Sequence, residues 1–186
     1  MRFKAVTFAI FVGLSFVSFM NGSTEPATGV KIGDKAPKIE SHLLDGSLFN
    51  SESLKGKMVL VDFWASYDAP SRIDNPRKRT ILAQYQNSEF LNSNGFVIIS
   101  VSLDRFKTPL YRSIERDGLQ DFFHLCDLNG LDSELAEAFK VSGDFPNFLI
   151  DGEGRIVEKS SDIEKIVATL ERLESVNREQ FALNRH

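Results

Sequence analysis

The sequence predicts a single α/β domain with a central mixed sheet flanked by helices. Three features lead there. Residues 58–64 form an apolar run of strand length broken only by Asp62, the pattern of a strand buried on both faces of a sheet. Residues 96–103 form a second buried strand, set off by the helix breaker Gly95. Strand and helix patterns then alternate and close with a hairpin and an amphipathic helix, the order of an α/β architecture with a mixed sheet. At 186 residues the chain is long enough to bury one ordinary core.

Taken in order, residues 1–22 read as a targeting segment. Arg2 and Lys4 give a positive start, and residues 5–20 are uncharged, largely apolar and short for a membrane span. The segment is either a cleaved secretion signal or an uncleaved N-terminal anchor. Residues 23–34, rich in Gly, Ser, Thr and Pro, read as a flexible leader. Residues 35–56 hold a short strand pair turning at Asp45-Gly46. A helix is predicted over 70–92, with Ile73, Ile81, Leu82 and Tyr85 facing inward and a kink at Pro76. Thr108-Pro109 opens a helix that ends near Gly118, residues 122–126 form a short strand and 132–139 a short helix. Residues 148–151 and 155–159 make a hairpin around Gly152-Glu153-Gly154. Ser161 and Glu164 have the spacing of a capping box. Ile163, Ile166, Val167, Leu170, Leu173 and Val176 follow at helical period, and 178–186 read as a polar, frayed tail.

Composition narrows the function. A net charge of −4 argues against nucleic acid, whose binders carry a strongly basic face. There is one cysteine, Cys126, so no internal disulfide is available and no N-terminal cysteine can carry a lipid. One Cys and three scattered His residues have no metal-ligand spacing, so neither metal nor cofactor is expected.

Residues 61–72 read Val-Asp-Phe-Trp-Ala-Ser-Tyr-Asp-Ala-Pro-Ser-Arg. Asn75-Pro76, Ser102-Leu103-Asp104, Asp127-Leu128-Asn129-Gly130 and Phe145-Pro146-Asn147-Phe148-Leu149-Ile150-Asp151 follow in order. This set, spanning roughly residues 31–176, resembles the exported thioredoxin-like family of TlpA-like and AhpC/TSA-like thiol:disulfide proteins. The resemblance implies a thioredoxin-like fold with a strand–helix insertion, spanning residues 35–177. It also implies Trp-Cys-Gly-Pro-Cys where this chain has Tyr67, Asp68, Ala69, Pro70 and Ser71. Disulfide exchange needs an attacking thiolate and a resolving thiol, and Asp and Ser supply neither.

Each position then has more than one use. Asp68 reads as a helix N-cap worth about 1 kcal/mol, with a catalytic carboxylate or a charged spot on a binding surface as alternatives. Ser71 is a small helix residue, or a nucleophile only beside a base. Asp62 is a buried acid; the family uses an acid there to assist the resolving cysteine, and here it is free to bond Ser71 or a trapped water. The resemblance implies a cis peptide before Pro146, with Phe145 offering backbone groups to an extended peptide. Cys126, two residues from His124, is a buried structural thiol or a displaced nucleophile. Arg72, Arg77, Lys78 and Arg79 form a solvated helix face or a weak anion patch.

The function expected is therefore a redox-inactive module of the periplasm or cell envelope. It would bind a peptide or partner protein in a groove of Trp64, Tyr67, Asp68, Pro70, Phe145 and Pro146. The alternatives are a thiol:disulfide oxidoreductase acting through Cys126 or a partner's cysteine, and a domain kept for stability or assembly. Membrane contact follows only if residues 1–22 stay uncleaved.

Overall fold

The computed structural model describes residues 26–183, so the predicted targeting segment lies outside the described residues. A five-stranded sheet runs through the centre of the domain. Its strands are β3 (Met58–Trp64), β6 (Phe96–Ser102), β7 (Phe123–Leu125), β8 (Asn147–Ile150) and β9 (Ile156–Ser160), in the order β7-β6-β3-β8-β9. β3, β6 and β7 are parallel, β8 is antiparallel to β3, and β9 is antiparallel to β8. Two small hairpins lie outside this sheet: β1 (Glu40–His42) with β2 (Leu48–Asn50), and β4 (Glu89–Phe90) with β5 (Ser93–Asn94).

Every residue of β3 is buried, as its apolar run requires. Met58, Leu60 and Trp64 point to one face, beneath α1 (Ala69–Tyr85), α2 (Lys107–Asp117) and α4 (Ile163–Leu183). Val59, Val61 and Phe63 point to the other, covered by the N-terminal segment, a 3-10 turn at Ser51–Leu54 and the five-residue α3 (Glu134–Ala138). One face thus lies under long helices and the other under short pieces. On the second face Phe63, Phe139 and Phe148 meet edge-on and tilted at 5.1–6.0 Å between ring centroids.

Several expectations need correction. α1 stops at Tyr85, and residues 86–94 turn back through β4 and β5 so that Phe90 packs against Tyr85. Ile73 is 76% exposed. The inward stripe of α1 is Ser71, Asn75, Lys78, Ile81 and Tyr85, and the helical period puts position 73 on the opposite side. The leader is partly structured: Gly33 donates to the Ile156 carbonyl, Ile156 to that of Asp34, and Ala36 to that of Gly154, which ties this stretch to β9. The capping box does not form. Asp162 caps α4 by accepting from the Glu164 amide, while the Glu164 carboxylate is drawn away by Arg77 at 2.8 and 3.1 Å. α4 buries its predicted apolar stripe from Ile163 to Leu173, leaves Val176 half-buried, and runs on to Leu183, beyond the predicted start of the tail.

α2 ends as predicted, at Gly118, whose φ of 69° and ψ of 44° give a left-handed C-cap. Gly152, at the β8–β9 turn, is held by close approach instead. A Cβ there would run into the Asn92 carbonyl oxygen and the Gly56 backbone. Gly152→Ala is expected to cost about 1–3 kcal/mol, the usual range for overpacking against backbone that cannot yield. Urea denaturation checks this, and an unchanged midpoint would show that the turn gives way.

Candidate functional site

The site forms where β3 runs into α1, at the C-terminal ends of the parallel strands. The loop between them is fixed by Asp104, a buried acid just past β6. Its carboxylate accepts from the Ser66 amide at 2.9 Å, from the Ser66 hydroxyl, and from the Ser102 hydroxyl at 2.7 Å. Asp68 then caps α1 with extended backbone, φ −87° and ψ 109°. One carboxylate oxygen accepts from both the Ser71 amide (2.9 Å) and the Ser71 hydroxyl (2.6 Å). The cap predicted from sequence is present, and the two positions where the resemblance implies cysteines are joined by an O–H···O hydrogen bond. Ser71 is buried, and no imidazole among the described residues hydrogen-bonds it.

Beneath the cap, strand register builds a row that no short motif reveals. Asp62 pairs with Ser100 and with Asn147, Ser100 with His124, and Asn147 with Ser160. Registered neighbours share a face, so this polar row crosses all five strands on the face under α1. Asp62, at its centre, does not bond Ser71. Its carboxylate accepts from Lys78 Nζ at 2.6 Å, and both side chains are only 2% exposed. The inward turn of α1 brings Lys78 over Asp62, seven residues on from Ser71. Trp64 Nε1 donates to Ser100 Oγ at 2.6 Å.

Around this pair several buried acceptors have no partner among the described residues: Asn75 Oδ1, Asn147 Oδ1 and His124 Nδ1. His124 Nε2 lies 2.7 Å from the Leu119 carbonyl, which can only accept, so Nε2 carries the proton. Burial lowers the His124 pKa below its ordinary value, against the Leu119 hydrogen bond and the nearby Asp62 charge. Asp74, half-buried beside the ion pair, is shifted up by burial.

The basic cluster of α1 disperses. Arg72 makes a two-pronged ion pair with Asp117, which also accepts from Asn75 Nδ2 at 2.8 Å. Burial alone would raise the Asp117 pKa, but the bonds from Arg72 and Asn75 outweigh it and the carboxyl falls below the usual range. Arg77 pairs with Glu164, Lys78 is buried and Arg79 donates to the Asp117 carbonyl, so this face offers no anion patch.

Of the predicted groove residues, Tyr67 is 68% exposed, Pro70 is exposed and Asp68 is half-buried. Trp64 is wholly buried and cannot line a groove. Phe145 and Pro146 are half-buried, and the Asp62–Asn147 pairing sets them beside the end of β3. The cis-proline expectation fails: no peptide bond among the described residues is cis. The trans form is favoured by about 0.5–1 kcal/mol at an ordinary X-Pro bond, and no local feature of the sequence offsets that preference. The Phe145 N–H and C=O take part in no hydrogen bond among the described residues.

Cys126 lies just past β7. Its thiol donates to the Asp104 carbonyl at 3.4 Å, and burial raises its pKa. His124 turns instead to Leu119 and stacks on Phe122, so the two do not form a thiolate–imidazole pair. Among the described residues no group of three His, Cys, Asp or Glu side chains could hold a metal ion.

Comparison with known proteins fits this geometry. The thiol-disulfide oxidoreductase ResA of Oceanobacillus iheyensis is 28% identical over 151 residues, covering 77% of this chain and 70% of that protein. Among solved structures, the thioredoxin domain of a thiol-disulfide oxidoreductase from Bacteroides vulgatus superposes with a TM-score of 0.68. It is 26% identical, covering 78% of this chain and 99% of that one. This chain has a thioredoxin-like fold and is similar to thiol-disulfide oxidoreductases. A thiol:disulfide interchange protein from a Bacteroides species gives a TM-score of 0.66 at 26% identity, covering 81% of this chain and 92% of that one. No protein-family model matches. No described helix is long and apolar enough to cross a membrane.

Two predictions follow from the polar row. Lys78→Met leaves Asp62 buried and unpaired, and should cost about 3–5 kcal/mol, whereas Lys78→Met with Asp62→Leu should recover most of the loss. Denaturant midpoints of the two variants check this; equal losses would mean that packing, not charge, is at stake. The second concerns acid. Because the His124 pKa is lowered on folding, the unfolded chain binds this proton more readily below pH 6.5, and stability falls as pH drops from 7 through that value. His124→Gln should flatten this part of the stability–pH curve, and an unchanged slope would assign the effect elsewhere.

Proposed function

We propose that this protein is an exported, redox-inactive thioredoxin-like module that binds an extended peptide segment of a partner protein at the former redox corner. The carrying observation is the Asp68–Ser71 hydrogen bond, which occupies the two reactive positions with groups that cannot exchange disulfides. Beside it Tyr67 is open to solvent and the Phe145 backbone is free of hydrogen bonds among the described residues. Those features suit recognition through main-chain pairing and an aromatic contact. The trans bond before Pro146 leaves these groups at the site without the turn geometry that the resemblance implied. Export rests on the predicted targeting segment of residues 1–22.

A second reading is favoured by the relatives, which are thiol-disulfide oxidoreductases. In it the chain exchanges disulfides through Cys126 or with a partner's cysteine. The raised pKa of the Cys126 thiol counts against it, because the thiolate is the reactive form.

The test of the first reading is binding of the purified protein to an array of cysteine-free peptides. Tyr67→Ala is expected to weaken binding about tenfold, a typical loss for an aromatic anchor, with stability unchanged. Asp68→Asn keeps the cap and reports the carboxylate charge alone. Cys126→Ser is expected to bind as the parent does. Loss of binding with Cys126→Ser in a folded protein, or no binding by the parent, would overturn the proposal.

A further inference from the structure

The face of the sheet away from α1 and α4 is roofed by short pieces, and they leave a cavity of about 460 Å³. That volume lies in the range of small-molecule sites. Its floor is aliphatic: Val59, Val61, Ile99 and Ile150 from three strands, walled by Ile39 and Leu54. None of the predicted groove residues lines it.

The charges at the rim decide the chemistry. Three acids stand there, and each is already satisfied. Glu52 pairs with Lys55 at 3.0 Å and Glu153 with Arg155 at 3.3 Å. Asp151 accepts from Asn92 Nδ2 and from the Glu153 and Arg155 amides. Lys35 and Lys38 stand at the same rim with no carboxylate within 4 Å among the described residues. Lys38 is exposed and Lys35 half-buried at this rim, and after the hydrogen bond from Lys55 the charges of both help hold the Glu52 carboxyl low. The lining holds no aromatic ring on which a base or sugar would stack. Lysine is a compact point charge rather than a planar fork, and it suits a single carboxylate head.

We infer that this cavity binds a small aliphatic carboxylate, of the medium-chain fatty-acid class, with its chain on the Val59–Ile150 floor and its head between Lys35 and Lys38. This site is independent of the peptide-binding proposal and shares no lining residue with the predicted groove.

The test is titration of the full chain at pH 7.4 with decanoate and, separately, with decylamine. Heat is recorded together with methyl resonances of Val59 and Ile150 and ring resonances of Tyr67. Decanoate is expected to bind one saturable site and to shift the Val59 and Ile150 methyls while leaving Tyr67 in place. Lys35→Glu with Lys38→Glu, checked for folding by circular dichroism, should weaken decanoate at least about tenfold, and decylamine should bind at least about tenfold more weakly than decanoate. Absence of saturable shifts at Val59 and Ile150 would overturn the inference. So would equal binding of the amine, or decanoate affinity untouched by the charge reversal. If the doubly charge-reversed protein fails to fold, Lys38→Glu alone, an exposed change, must still weaken decanoate or the inference falls.

Discussion

With both side chains 2% exposed and 2.6 Å apart, Asp62 and Lys78 join the middle of the central strand to the middle of the first helix. Neither charge can be left behind alone. Moving an ion of this size from water into a dry interior costs on the order of 20 kcal/mol in the ideal limit, and several kcal/mol in real proteins. The pair therefore fixes how α1 lies on β3, and with it where the N-terminus of α1 stands. Asp68 and Ser71 sit at that N-terminus. Arg72 and Asn75, gripping Asp117 from the same helix, brace it against α2, while Asp104 holds the loop before it. This corner is held from three sides by polar contacts, over a polar row that spans the sheet.

The corner thereby differs in kind from a dithiol. A redox pair has two covalent states. Asp68 and Ser71 have one state: a hydroxyl donating to a carboxylate that also caps the helix. The acid at position 62 is changed as well. Where the family resemblance places a proton acceptor beneath a thiol, this chain has a carboxylate already bonded to an ammonium group. Substitution at the surface and neutralisation beneath it agree with each other. Neither Asp68 nor Ser71 carries a thiol, and Tyr67 stands open beside them.

Much of the fold was legible because its signals are local or periodic. The buried strands 58–64 and 96–102, the Gly118 stop and the α4 stripe follow from apolar period and breaker residues, and the structure has all of them. The end of α1 was misplaced because residues 86–94 lack a Gly or Pro, and the turn there is set by the burial of Phe90 against Tyr85. Ile73 was assigned inward because apolar residues usually are; the inward stripe is polar from Ser71 to Lys78, and only the partner Asp62 makes a buried lysine there tolerable. The Asp68 cap was legible from its place before Ala69-Pro70. The Lys78 partnership, the row from His124 to Ser160 and the brace at Asp117 were not, since each depends on register or on contacts between residues far apart in the chain. The spacing of Ser71, Asn75 and Lys78 on one helical stripe was the available signal. The capping box and the cis-proline were over-read: Arg77 claims Glu164, and a family habit does not alter the ordinary preference of an X-Pro bond.

The account's central claim is that thiol chemistry has left this site. The most direct measurement is insulin disulfide reduction by the full chain with dithiothreitol as donor, run beside Cys126→Ser. The account predicts a rate indistinguishable from that of dithiothreitol alone for both proteins. Sustained turnover by the parent that disappears with Cys126→Ser would contradict it and make Cys126 the working thiol of an oxidoreductase.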